Sequence, residues 1–117
     1  MMQQQFYRTS ILLGEQGVNR LAKRHILIAG VGGVGGQAVE AIARAGVGKI
    51  TIIDNDVVDI SNINRQLIAT MSGIGTAKIE LFHQRVKDIN PECEVISQQH
   101  FLSADNLAEL IPLSVWL

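Results

Sequence analysis

The chain has 117 residues, 47% hydrophobic and 18% charged, which is enough for one domain and too little for a multidomain machine. Ten Lys and Arg against eleven Asp and Glu leave a net charge of −1, so there is no electrostatic footprint for nucleic acid. One cysteine cannot build a disulfide framework and the apolar runs fall short of the roughly 20 residues a membrane span needs; a cytoplasmic chain with no membrane segment is expected.

Met1 to Tyr7 carries three Gln and lacks a basic region followed by an apolar stretch, so it does not read as a secretory signal, and residues 1–10 are expected to form a flexible arm. Glu15 to Lys23 suits a short helix. His25-Ile26-Leu27-Ile28-Ala29 is short, continuous and branched, as a strand buried on both faces should be. After the glycine cluster, Val34, Ala38, Ile42 and Ala45 recur at helical steps, with Gly46 and Gly48 as stop signals. Lys49 to Asp54 reads as a second strand. Strand, glycine turn, helix and strand make a βαβ unit with a right-handed crossover. From Asp56 to Gly75 the periodicity disappears, which marks a long irregular connection. Helical spacing returns at Ile79, Phe82, Val86 and Ile89, with Lys78, Glu80, Arg85 and Lys87 for the wet face and Asn90-Pro91 as the stop. A third strand is expected at Glu94 to Gln99. Ser103 suits the cap of a last helix with the stripe Leu107, Leu110 and Ile111, closed by Pro112. The fold class predicted is α/β: a three-layer, Rossmann-like nucleotide-binding domain with a mainly parallel sheet, one domain over residues 1–117.

The run Gly30-Val31-Gly32-Gly33-Val34-Gly35 has the spacing of a dinucleotide-binding turn: one glycine for the tight turn, one for close approach of phosphate, one for helix packing. Backbone N–H groups and the positive end of the helix dipole converge there on an anion. Glycine-rich turns also arise simply because a strand and a helix pack closely. The context favours a nucleotide, since the run lies between a predicted strand and helix and Asp54 follows at the carboxyl end of the next strand, where ribose hydroxyls are bound.

NAD enzymes share all of this. The stretch from Asp54 through Asp56 to Gln66 then adds Asn62, Arg65 and Gln66, and Lys78 follows. A dinucleotide's pyrophosphate is satisfied by backbone amides, whereas a triphosphate undergoing substitution needs cations to neutralise its leaving pyrophosphate. An NAD-type oxidoreductase fragment and a non-enzymatic nucleotide-binding remnant stay open as rivals, as does the plain reading of Arg65 and Lys78 as surface cations.

The glycine run, the turn Ala45-Gly46-Val47-Gly48, Asp54-Asn55-Asp56, Ser61-Asn62-Ile63-Asn64-Arg65-Gln66, Gly75 with Lys78, and Asn90-Pro91 together resemble the ThiF/MoeB/HesA superfamily, bacterial relatives of ubiquitin-activating enzymes. The likeness covers about Leu12 to Ile111. Gly14-Glu15-Gln16 and Asn90-Pro91-Glu92-Cys93 are similar to the branch that dehydrates threonylcarbamoyladenosine in tRNA. The resemblance implies ATP as cofactor and attack of a carboxylate on its α-phosphate, giving an acyl-adenylate and pyrophosphate. The acceptor would be a ubiquitin-like carrier protein or the modified tRNA, and the enzyme a homodimer. By the same resemblance Gly30, Gly32, Gly33 and Gly35 would cradle the nucleotide, with Gly33 touching it through its backbone. Asp54, with Asp56 beside it, would hold ribose; Asn62, Arg65 and Lys78 would grip the phosphates; Ser61, Ile63 and Asn64 would complete the loop.

Two departures accompany it. The family usually places an Arg-Gln pair before the lead-in, its arginine reaching the partner subunit's phosphates; here Thr9-Ser10 stand there and Arg8 is one position off. The family chain also continues past the last helix to an aspartate that binds Mg2+ and a substrate half, whereas this sequence ends at Ser114-Val115-Trp116-Leu117, a pattern expected of an N-terminal half.

Cys93 reads as a small buried hydrophobe, and His25, His83 and His100 as packing or surface residues with no ligand spacing between them. Asp54, Asp56 and Asp59 suggest ribose rather than a metal, since only the first two share a face. Trp116 would be exposed or pack on another subunit.

Overall fold

The computed structural model describes residues 3–110. A 3-10 turn at Gln4–Phe6 leads into α1 (Tyr7–Ala22), then β1 (His25–Ala29), α2 (Gly33–Ala45) and β2 (Lys49–Ile53). Two more 3-10 turns, Ile60–Asn62 and Met71–Gly73, precede α3 (Lys78–Ile89), β3 (Glu94–Gln98) and α4 (Leu107–Leu110). The predicted stripe on the side chains of Leu107, Leu110 and Ile111, the Pro112 stop and the Ser114–Leu117 tail lie outside the described residues, as do Met1 and Met2.

The architecture is the expected α/β, Rossmann-like one. The three strands are parallel in the order β1-β2-β3, with Ile26, Ile50 and Val95 in one register row and Ala29, Ile53 and Gln98 in the last. Two right-handed crossovers in succession put α2 and α3 on the same face. A single core forms beneath them from Ile50 and Ile52 of β2, Val39 and Ala43 of α2, Phe82 and Val86 of α3, and Cys93. The two helices are also tied by charge: Glu40 accepts from Arg85 through Nε at 2.5 Å and Nη2 at 3.0 Å, and pairs with Arg44 at 2.8 Å. Burial pushes the Cys93 thiol up, as suits a packing residue.

Four expectations shift once the elements pack together. β1 is one of the sheet's two edge strands and its residues are only half-buried or exposed; the strand covered on both faces is β2, where Ile50, Thr51, Ile52 and Ile53 are all buried. On α2 the buried positions are Gly36, Val39 and Ala43, one step round from the predicted stripe, and Val34 is 88% exposed because it lies in the first turn, at the helix's open end. Lys78 is buried rather than on the wet face. α1 starts at Tyr7 but is interrupted at Gly14 (φ 74°, ψ 165°), so the predicted helix from Glu15 is its second half.

The amino end of the sheet is closed by the first residues described. Phe6 is buried against Gly46, and Gln5 Nε2 donates to Ile89 O at 3.1 Å. Asn90 N–H donates to Val86 O, and its Nδ2 reaches Val47 O at 3.4 Å, which joins the end of α3 to the turn before β2. Before α4, Ser103 N–H donates to Asn106 Oδ1 at 2.8 Å, so the helix begins at Leu107. The carboxyl ends of the strands are left to the loops.

Candidate functional site

The glycine turn leaves β1 at its carboxyl end and opens α2. Gly30 has φ 86°, a conformation a side chain disfavours, and makes the bend while its N–H stays in the sheet on Ile53 O. A Cβ at Gly35 would lie 1.8 Å from Gly30 O, so helix and strand are too close here for any side chain. At Gly33 a Cβ would meet nothing within 4 Å. The three glycine roles are thus separable: bend, open approach and packing. Gly32 is the N-cap of α2 and no side chain caps the helix, so the N–H groups of Gly33, Val34 and Gly35 stand as donors at the positive end of the helix dipole.

Asp54 lies at the end of β2 and is half-buried. Its Oδ2 accepts Val31 N–H at 2.8 Å and its Oδ1 accepts Asp56 N–H at 2.6 Å, which fixes the carboxylate beside the turn with lone pairs left over. Asp56 in turn meets Lys78: the Lys78 N–H donates to Asp56 O at 3.0 Å, and Nζ lies 3.6 Å from Asp56 Oδ2. The Lys78 side chain is 5% exposed against 72% for Asp56. A buried ammonium at the first residue of α3 sits at the wrong pole of that helix's dipole, with one solvated carboxylate to compensate it.

Gly30, Asp54 and Asp56 line one cavity of about 380 Å³, together with Asn55, His100, Phe101 and Leu102. These last four were missed by sequence reasoning. Their signal was position: ligands bind beyond the carboxyl ends of parallel strands, and Phe101, 76% exposed, lies three residues past the end of β3. A larger cavity, about 760 Å³, is lined by residues of the N-terminal segment including Tyr7, Arg8 and Glu15; it shares no residue with the glycine turn.

On the other side of the turn, the stretch Asp59 to Gln66 is knit to itself. Asp59 N–H donates to Asn62 Oδ1, and Asp59 Oδ2 accepts from the Ser61 N–H and hydroxyl. Those two bonds hold the Asp59 carboxyl below its ordinary range. Arg65 is exposed, and its Nη1 donates to Ser61 O at 3.0 Å and Asn64 Oδ1 at 2.9 Å. Ile63 packs on the core. Gln66 is buried, with its amide against Gly32. The structure therefore gathers Asp54, Asp56 and Lys78 on one side of the glycine turn. Gln66 packs on the turn itself, while Asn62 and Arg65 share its loop with their polar groups turned inward.

The remaining candidates fall outside this cluster. His25 Nε2 meets Thr51 Oγ1 at 2.6 Å and His83 Nδ1 meets Ser97 Oγ at 3.3 Å, both packing contacts; His100 is the one histidine on the cavity. No helix among the described residues is long and apolar enough to cross a membrane.

Known proteins share this fold. The tRNA threonylcarbamoyladenosine dehydratase of Bacillus subtilis (strain 168) is 46% identical over 104 residues, covering 89% of this chain and 41% of its own length. That of Escherichia coli (strain K12) is 44% identical over 106 residues, 91% of this chain and 40% of its own. The crystal structure of the E. coli enzyme in complex with ATP superposes with a TM-score of 0.89, covering 91% of this chain and 44% of that one; another was solved with AMP. This chain spans about two-fifths of the length of those relatives. The profile of the ThiF family matches residues 6–115, and the chain belongs to that family.

Proposed function

We propose that this chain forms the ATP site of an adenylyltransferase that activates a carboxylate as an acyl-adenylate. The observation that carries the reading is Lys78: a buried ammonium with an under-strength counter-ion, joined through Asp56 and Asp54 to a turn of open amides. A pyrophosphate held by amides has no need of it, whereas a nucleotide losing pyrophosphate does.

In this reading the nucleoside enters the cavity at Asp54, whose carboxylate accepts from the ribose hydroxyls. The donors at the start of α2 take the phosphate nearest the ribose. Lys78 leaves Asp56 for the phosphates. Asn62 has spent its Oδ1 on Asp59 and keeps Nδ2 as a donor, and Arg65 swings from Ser61 and Asn64 to the departing pyrophosphate. The incoming carboxylate is itself the nucleophile, so the chain contributes alignment and charge rather than a covalent partner. Mg2+, which the resemblance implies, is not assigned to residues of this chain: among the described residues no group of three or more His, Cys, Asp or Glu could hold a metal ion.

The acceptor proposed is the threonylcarbamoyl carboxylate on tRNA, supported by the two dehydratase relatives at 46% and 44% identity; the probable molybdopterin-synthase adenylyltransferase of Porphyra purpurea, at 40%, keeps a ubiquitin-like carrier as the second candidate. With a net charge of −1, this chain offers little to a tRNA backbone, so that contact falls to other surfaces of the assembly. A cytoplasmic homodimer, with the exposed Arg8 at the start of α1 reaching across, completes the proposal.

Calorimetry with ATP and NAD in parallel tests the nucleotide. ATP should bind and NAD should not; preference for NAD overturns the reading. Isotope exchange between pyrophosphate and ATP in the presence of candidate carboxylates tests the chemistry, and a folded, ATP-binding sample that gives no exchange assigns binding without adenylation.

A further inference from the structure

The net charge of −1 averages over two unlike regions. Residues 1–24 hold four of the ten cations and one of the eleven acids, so in the rest of the chain six cations face ten acids. All six are engaged: Arg44, Lys49, Lys78 and Arg85 in ion pairs, Arg65 and Lys87 in hydrogen bonds. Arg20, Lys23 and Arg24 are exposed, and among the described residues none of them enters an ion pair or a side-chain hydrogen bond.

The fold gathers these three at the amino end of the sheet. Lys23 N–H donates to Arg20 O at 3.1 Å and Arg24 N–H to Leu21 O at 3.0 Å, so they share the turn that closes α1. Arg24 O in turn accepts Lys49 N–H at 3.1 Å, which sets a fourth cation beside them, its Nζ 3.9 Å from Glu94. The other acid at this end, Glu92, shares a cavity wall with Ala22. A helix's carboxyl pole amounts to about half a charge, which one cation answers. Further cations a turn apart repel one another and add nothing to folding.

Their use lies toward a partner with fixed negative charges in a row. A phosphodiester backbone is such a partner, and each phosphate neutralised by Lys or Arg releases condensed counterions. A bilayer fits less well, since it asks for apolar side chains to insert, and over residues 15–24 Val18 is buried and Leu21 half-buried. We propose that Arg20, Lys23 and Arg24 are where this chain meets the phosphodiester backbone of its tRNA acceptor. This rests on the acceptor reading above, and it places in one patch the little that this chain offers a tRNA. β1 runs from the patch to the glycine turn, five residues covering roughly 16 Å. A macromolecule spans that distance, and contacts to its phosphates set its position without reading its sequence.

The test is binding of unfractionated tRNA to the full chain between 50 and 200 mM salt, roughly the range over which phosphate contacts are lost. The triple variant Arg20→Gln, Lys23→Gln, Arg24→Gln should lower the slope of log affinity against log salt by about 2 and weaken binding at low salt about tenfold or more. ATP affinity by calorimetry should stay within about twofold of wild type, because the patch lies at the far end of β1. Lys23→Gln alone, which keeps the arginines should the triple variant not fold, should lower the slope by roughly 0.7 to 0.9, and Lys23→Arg should leave it unchanged. An unaltered slope in the glutamine variants, or no tRNA binding by wild type at low salt, overturns the proposal. So does a loss confined to phosphatidylserine vesicles, which would make the patch a lipid contact. If wild type binds ATP while the slope is unaltered, this inference fails alone. If the slope falls as expected but ATP is not bound, the ATP reading fails and the surface stands.

Discussion

The glycine turn and the Asp59–Gln66 turn flank the same candidate site and are built in opposite ways. The first presents backbone: its donors are placed by the start of α2, no side chain caps them, and Gly33 faces open space. The second presents side chains, and nearly all of them are occupied at home, Asn62 and Ser61 with Asp59, Arg65 with Ser61 and Asn64. Donors fixed by the fold need no rearrangement to receive an anion, whereas a guanidinium must give up two hydrogen bonds first. In the reading proposed above, the contrast separates a scaffold that would set where a nucleotide sits from a loop that would respond to it.

Substitutions should break the two turns differently. The largest effect is expected on the scaffold side. Gly35→Ala would force a Cβ to within 1.8 Å of Gly30 O, a clash with backbone that no rotamer relieves, so denaturant unfolding should show a loss of about 3 kcal/mol or outright failure to fold. Gly33→Ala meets no atom within 4 Å and should fold normally; a comparable loss there would show that the openness at Gly33 is not real.

Lys78→Met comes next and should separate binding from stability. Removing a buried ammonium from a helix N-terminus should leave the melting temperature unchanged or higher, and ATP affinity by calorimetry should drop about a hundredfold. Loss of stability with retained ATP binding would make Lys78 a structural partner of Asp56 and nothing more. Arg65→Ala should be milder, about tenfold on ATP and near zero on adenosine, because the ion pair proposed with phosphate would be offset by the bonds to Ser61 O and Asn64 Oδ1 that it surrenders. Equal losses for ATP and adenosine would remove Arg65 from the phosphates.

What the sequence made legible was the scaffold. β2 and the glycine turn are local: a branched run, a bend that only glycine takes at Gly30, a helix that packs only against Gly35. Asp54 was legible for the same reason, being defined by its place at a strand end. The burial of Lys78 was not, since helical spacing puts residue 78 next to wet positions and only the return of Asp56 across the loop encloses it. The same holds for β1, whose unbroken apolar run says nothing about having a neighbour on one side only. Arg65 was legible as a cation and not as a bonded one: the contacts that occupy it are to groups one and four residues away, which spacing alone does not disclose.

The smallest predicted effect tests whether the glycine turn depends on the helix packing behind it. Glu40 of α2 holds Arg85 of α3 and touches neither turn. Hydrogen bonding from Arg85, then from Arg44, keeps its carboxyl below the ordinary value of 4.5. A carboxylate with a lowered folded pKa contributes its stability above the unfolded value and loses it as pH falls through the folded one. Glu40→Gln should therefore cost about 1 kcal/mol at neutral pH, since the half-exposed Arg85 is partly screened by solvent. That difference from wild type should shrink as the pH of the melt falls below 4.5. A gap that stays constant to low pH would assign the loss to shape rather than charge. Should ATP affinity at neutral pH fall with stability, the α2–α3 tie sets the angle at which the turn's amides meet the nucleotide; unchanged affinity would place the whole of that geometry in Gly30, Gly35 and the Asp54 bond to Val31.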